Sequence, residues 1–193
     1  MTRQSRARGR NGVRANASKR VVIDASVASA AGGEEATFPT SKPCRDFLRA
    51  FLDTSHSVVM TSEIRDEWNR HQSGFARAWR SSMVSRRRMT TLDPTIDENL
   101  LRRIENSSPH ENPRAAMRKD FRLIAAAFAA DKIIASLDEE ARSLFDSATT
   151  SVAALKAIAW INPDIMEEGC AAWLQSGAKH ERKRLLGYRR RAS

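Results

Sequence analysis

The stretch "RVVIDAS" (residues 20–26) decides the fold. Val21, Val22 and Ile23 are β-branched and apolar, without the polar alternation of a strand that faces water on one side. Such a run predicts a short strand buried on both faces, the kind that parallel sheets use. It stops at an acid, Asp24, which is placed either to cap a helix beginning at Ala25 or to serve a site beyond the strand end.

Reading outward, residues 30–43 hold Gly32, Gly33, Pro39 and Pro43 and predict a loop, after which Phe47, Leu48, Phe51 and Leu52 recur at helical spacing. "HSVVMTS" (56–62) repeats the first pattern: an apolar run closed by Thr61 and Ser62, either of which can cap a helix over 63–83. Residues 85–112 are polar and proline-marked, with a helix from about Thr95 to Glu105. "RAAMRKDFRLIAAAFAAD" (114–131) is the strongest helix signal. "KIIAS" (132–136) predicts a third strand and residues 157–161 a fourth, with helices opening at "DEEARSLF" and after Pro163. Strands that alternate with helices argue for an α/β fold with a mostly parallel sheet, because parallel strands need helical crossovers.

The chain has 193 residues, suited to one domain; hydrophobic residues make up 41% and charged residues 29%, an ordinary soluble composition. Its longest apolar run, 123–130, is too short for a bilayer, and no apolar block of signal-peptide length follows the N-terminal arginines. These features predict a cytoplasmic protein without a membrane partner. Cys44 and Cys170 lack a CxxC pattern and read as buried free thiols. His56, His71, His110 and His180 lie in polar contexts and read as surface residues.

The net charge of +10 is unevenly spread: residues 1–20 carry +7 and residues 176–193 carry +6, leaving −3 for the body. Residues 1–19 and 176–193 therefore read as basic, frayed tails around a domain of residues 20–175. Tails of this kind are drawn to a polyanion by counterion release, with plain solubilisation as the alternative.

Acids recur where such a sheet binds ligands, beyond the carboxyl ends of its strands. Asp24 closes the first strand, Glu63 and Glu67 follow the second, Asp138 follows the third, and Asp120 sits on the helix before the third. Asp24 and Asp138 can each be explained as caps. Two carboxylates about 4 Å apart repel by roughly 4 kcal/mol at a protein-like dielectric, so a cluster of them calls for a cation or for protons. Oxygen ligands without histidine or cysteine suit Mg²⁺ or Mn²⁺, and such ions bind phosphate oxygens and activate water.

"VVIDASVA" (21–28) resembles the first motif of PIN-domain nucleases, and "DFRLIAAAFAADKIIASLDEE" (120–140) resembles the second half of that family's signature, an Asp, an apolar helix, a strand and (S/T)xD. The resemblance spans about residues 20–163 and implies a three-layer α/β/α sandwich with a mostly parallel central sheet. It implies Asp24, Glu67, Asp120 and Asp138 as metal-binding and catalytic acids, with Ser26 and Ser136 as supporting hydroxyls. Glu63 is the rival of Glu67, and Glu140 stands where the family often has a further Asp. Residues 73–112 are longer and more basic than in minimal members and read as a helical insertion. Arg77, Arg80, Arg86, Arg87 and Arg88 there, with Arg118 and Lys119, are candidate nucleic-acid contacts. The implied activity is Mg²⁺- or Mn²⁺-dependent cleavage of single-stranded RNA, as a free enzyme or as a toxin held by an antitoxin protein, with a homo-oligomer as a possible assembly. The alternative is a catalytically weak RNA-binding or assembly subunit.

Overall fold

Val21, Val22 and Ile23 are wholly excluded from solvent in β1 (Arg20–Ile23), the middle strand of a five-stranded sheet. The computed structural model describes residues 17–188. Beside β1 lie β2 (Ser57–Met60) and then β3 (Met89–Thr91) on one side, with β4 (Ile133–Ala135) and then β5 (Ala159–Ile161) on the other. All four pairings are parallel, with Val22 level with Val59 in β2 and Ile134 in β4. The order β3-β2-β1-β4-β5 means that the chain leaves β1 in one direction and later returns to its other side. The crevice beyond the carboxyl ends of β1 and β4 is therefore the topological switch point.

Helices cover both faces, giving an α/β/α sandwich. α1 (Ala25–Ala30) and α2 (Ser41–Leu52) connect β1 to β2; α3 (Ser62–His71) and α4 (Gly74–Ser85) connect β2 to β3. α2 packs on α4 and on α8 (Cys170–Gln175). On the opposite face α6 (Glu111–Phe128) lies over β1 and β4, between α5 (Glu98–Glu105) and α7 (Glu139–Ala148). The apolar stripe Met117, Phe121, Leu123, Ile124 and Ala127 turns α6 to the sheet. Among the described residues no helix is long and apolar enough to cross a membrane.

Several expectations are corrected. The helix expected over 63–83 is two helices, because Gln72 adopts extended backbone and the Ser73 hydroxyl caps α4 by accepting from the Ala76 amide at 3.2 Å. Residues 73–112 are not an insertion set apart from the fold. They supply α4, whose Trp79 and Met83 are buried, and the edge strand β3. β3 is only three residues long and half exposed, so it carried no apolar run to announce it.

The basic C-terminal segment is likewise part of the body through residue 188. Leu185 bridges to Ala159 on the outer edge of β5, Leu186 is buried, and Arg184 is only 3% exposed. Gly187 holds φ +78°, and a Cβ there would lie 2.7 Å from the Thr149 hydroxyl. At the other end, the Ser18 hydroxyl donates to Ser55 O at 2.6 Å. The rest of the two basic ends, 1–16 and 189–193, lies outside the described residues.

His56 is not a surface residue: it is 1% exposed, accepts at Nδ1 from the Lys19 amide (3.0 Å) and donates from Nε2 to Leu174 O (3.0 Å). Burial lowers its pKa and favours this neutral form. Cys44 and Cys170 are buried free thiols as expected, each pushed up to about 12 by burial.

Candidate functional site

Asp24 sits at the switch point, and its backbone is fixed on both sides. Its amide donates to Ala135 O of β4 at 2.9 Å, and the buried Trp68 indole of α3 donates to Ile23 O at 2.9 Å. The side chain caps α1, Oδ2 accepting from the Ser26 amide at 3.4 Å. The same oxygen accepts from the Ser26 hydroxyl (2.6 Å) and the Ser136 hydroxyl (3.1 Å). Oδ2 is thus committed, and Oδ1 is the oxygen turned toward other groups. Ser26 and Ser136 knit the ends of β1 and β4 together, since their hydroxyls accept from the Leu137 and Asp138 amides at 3.1 Å each.

Asp120 reaches the same place from the middle of α6. It is 8% exposed, and Asp24 is 9% exposed. Burial raises the Asp120 pKa; the Arg122 and Lys119 charges oppose that rise, and the nearby Asp138 and Asp24 add to it. Asp138 is exposed and caps α7, its Oδ1 accepting from the Ala141 amide at 2.8 Å. Three acids from distant parts of the chain therefore share one electrostatic neighbourhood. The capping explanation of Asp24 and Asp138 also holds, so each of them does two things at once.

The structure adds a residue that the sequence reading omitted. Arg122 stands between the acids, its guanidinium 3.9 Å from Asp24 Oδ1 and 3.6 Å from Asp120 Oδ1. Among the described residues it donates one hydrogen bond, to Lys119 O at 2.9 Å, and its Nε is buried without a partner. A signal was present: Arg122 is the one charge in "FRLIAAAFAA", and a cation inside a sheet-facing run needs a carboxylate nearby.

Arg122 also lines a cleft of about 490 Å³ that opens beside the acids. Glu63, Glu67, Arg118 and Lys119 stand on its polar side, and Ile96 and Phe121 on its apolar side. Both rival glutamates thus face this cleft, and neither bonds to Asp24 or Asp120. The Glu63 pKa is held down by its own amide, by the Thr61 hydroxyl and by the Arg122 charge. Burial opposes ionisation of Glu67, but the Arg70 hydrogen bond at 2.6 Å and the Arg122 charge outweigh it and lower its pKa. Glu140 is exposed on the first turn of α7, and the adjacent Glu139 instead takes a hydrogen bond from the Asn162 amide group at 2.9 Å.

The candidate nucleic-acid contacts divide. Arg118 and Lys119 line the cleft. Arg86, Arg87 and Arg88 precede β3 and so lie at the amino edge of the sheet, opposite the acids. Arg86 and Arg88 are used there to close α2, each donating to Leu52 O at 2.9 Å. Arg77 is exposed on α4, and Arg80 is tied to Asn69 at 2.8 Å.

The residues fit a hard divalent cation in kind: carboxylate and hydroxyl oxygens, with acids close enough to raise the pKa of Asp120. Among the described residues, no three His, Cys, Asp or Glu side chains are gathered in a ready-made metal cage. Arg122 supplies the positive charge between Asp24 and Asp120, and an ion binding both would require it to move. Comparison of the chain with protein-family models, with curated proteins and with solved structures finds no match.

Proposed function

We propose that this protein is a PIN-type ribonuclease that uses Mg²⁺ or Mn²⁺ to cut single-stranded RNA. The observation that carries the reading is that Arg122 stands between Asp24 and Asp120 at the switch point of the sheet, with the Asp138 backbone tied to Asp24 through the Ser136 hydroxyl, beside a cleft with Arg118, Lys119 and Arg122 in its wall. Asp24 and Asp120 would hold the ion, with Asp138 beside them and Glu67 or Glu63 reaching in from the cleft. A divalent cation bound there supplies charge stabilisation at the phosphoryl group and lowers the pKa of a coordinated water.

The chain's own residues do the rest. Ser26 and Ser136 hold Asp24 in one rotamer through Oδ2, which presents Oδ1. Lys119 and Arg118 draw the RNA backbone to the cleft, and the apolar wall at Ile96 and Phe121 offers a surface for an unpaired base. A toxin restrained by an antitoxin protein is a subclass of this reading.

A second reading rests on Arg122. A site whose acids already have an internal counter-charge also suits a catalytically weak RNA-binding subunit. The test is cleavage of a labelled single-stranded RNA in Mn²⁺ by wild type, Asp24→Asn and Asp120→Asn. The nuclease reading expects each substitution to lower the rate about a hundredfold or more, as loss of a group that stabilises transition-state charge does. Cleavage by both variants at the wild-type rate would sink it. RNA binding without Mn²⁺ binding or cleavage would favour the second reading.

A further inference from the structure

We infer that Arg122 is an exchangeable counterion: it neutralises Asp24 and Asp120 while the metal is absent and turns into the cleft, onto an RNA phosphate, when the metal enters. The inference rests on the metal-dependent reading above and adds to it a residue with two alternating partners.

The geometry of Arg122 is that of a group held by charge and not locked by hydrogen bonds. Its separations of 3.9 and 3.6 Å from the two carboxylates exceed the roughly 2.7–3.2 Å of an N–H···O bond. Its hydrogen bond to Lys119 O uses one of five guanidinium donors, and Nε is buried without an acceptor among the described residues. Asp24 meanwhile is fixed through its other oxygen, so loss of Arg122 from Oδ1 leaves the carboxylate in place. The Arg122 side chain is 17% exposed and already forms part of the cleft wall beside Lys119, so the path outward is short. A divalent ion on Asp24 Oδ1 and a guanidinium 3.9 Å from the same oxygen repel each other, and the same guanidinium is well shaped for phosphate.

The test uses the full-length chain, Mn²⁺ calorimetry and steady-state cleavage of a short single-stranded RNA. Arg122→Gln is expected to bind Mn²⁺ about tenfold more tightly than wild type, because a unit charge next to the ion is gone. Its KM for RNA is expected to rise about tenfold, the worth of one charge-assisted hydrogen bond, with kcat changed less. Arg122→Lys keeps the charge and is expected to restore both quantities toward wild type, which a purely structural role of the arginine would not do. Equal or weaker Mn²⁺ binding by Arg122→Gln would overturn the inference while leaving the metal site intact. A fall in kcat with unchanged KM would overturn the phosphate contact. Absence of Mn²⁺ binding by wild type and both variants would overturn the inference and the metal-dependent reading together.

Discussion

Two arginine–carboxylate clusters, one joining Asp24 to Asp120 and the other centred on Glu168, are built differently. Around Glu168, which is 4% exposed, every oxygen is engaged: Arg142 donates to Oε1 at 2.6 Å, the Asn162 amide donates to Oε2 at 3.0 Å, and Arg184 lies 3.8 Å from Oε2. Arg184 also donates to Glu181 at 3.0 Å and to Glu168 O, and its guanidinium stacks 4.9 Å from the Trp173 ring. Around Asp24 and Asp120 the single arginine keeps its distance from both acids. The Glu168 cluster holds the C-terminal segment on β5, with Arg142 hydrogen-bonded to both Glu168 and Glu139 and Arg184 to Glu181 and Glu168 O. The Asp24 cluster keeps a carboxylate oxygen and most of an arginine's donors unspent, which is what a site that exchanges partners requires.

The largest expected effect sharpens that contrast directly. Glu168→Gln leaves two arginines without their buried partner and should cost about 3–5 kcal/mol in urea denaturation, whereas Asp120→Asn should change stability by less than about 1 kcal/mol. Similar losses in the two variants would break the comparison. Next comes Ser136→Ala. Ser136 is fully buried, and the Asp138 amide and Asp24 Oδ2 each lose its hydroxyl as a partner, so a loss of about 1–3 kcal/mol is expected by the same measurement. A neutral outcome would mean that Asp24 is not held as described.

The smallest effect is a pH dependence. Burial raises the Asp120 pKa in the folded protein, so its contribution to stability is full below the ordinary value of 3.8 and is lost as pH rises through the folded-state value. Wild type should therefore be less stable than Asp120→Asn at neutral pH, with the gap closing as pH falls toward 3.8. Glu63 and Glu67, whose pKa values are depressed, act in the opposite direction, losing their contributions as pH falls through the folded values. Because they are common to both proteins, the difference between the urea midpoints of the two across that range isolates Asp120. A gap that widens on acidification would contradict the assignment.

Much of this arrangement was legible in advance. β1, β2, β4 and β5 announced themselves because a strand buried on both faces must be apolar at every position, and a parallel order followed from the helices between them. β3 did not, since an edge strand of Met89, Thr90 and Thr91 needs no apolar run. The acids after the strands were visible as candidates for the same reason that the strands were. Arg122 was overlooked although its chemistry was in plain view, because its partners lie 98 residues back and two residues back on different elements. The basic C-terminal segment misled for a related cause: composition counts its cations, but not the Glu168 that pairs with Arg184.

The sequence by itself determined the α/β class, the strand ends at which acids would appear, and the buried thiols, because burial of a strand or helix face leaves a periodic mark on neighbouring residues. The tertiary structure decided which charges meet. It set Arg122 between Asp24 and Asp120, sent Arg86 and Arg88 to close α2 at the far edge, and folded Arg184 into the body. Charge pairing acts through space over a few ångströms, between residues whose separation along the chain leaves no local pattern to read.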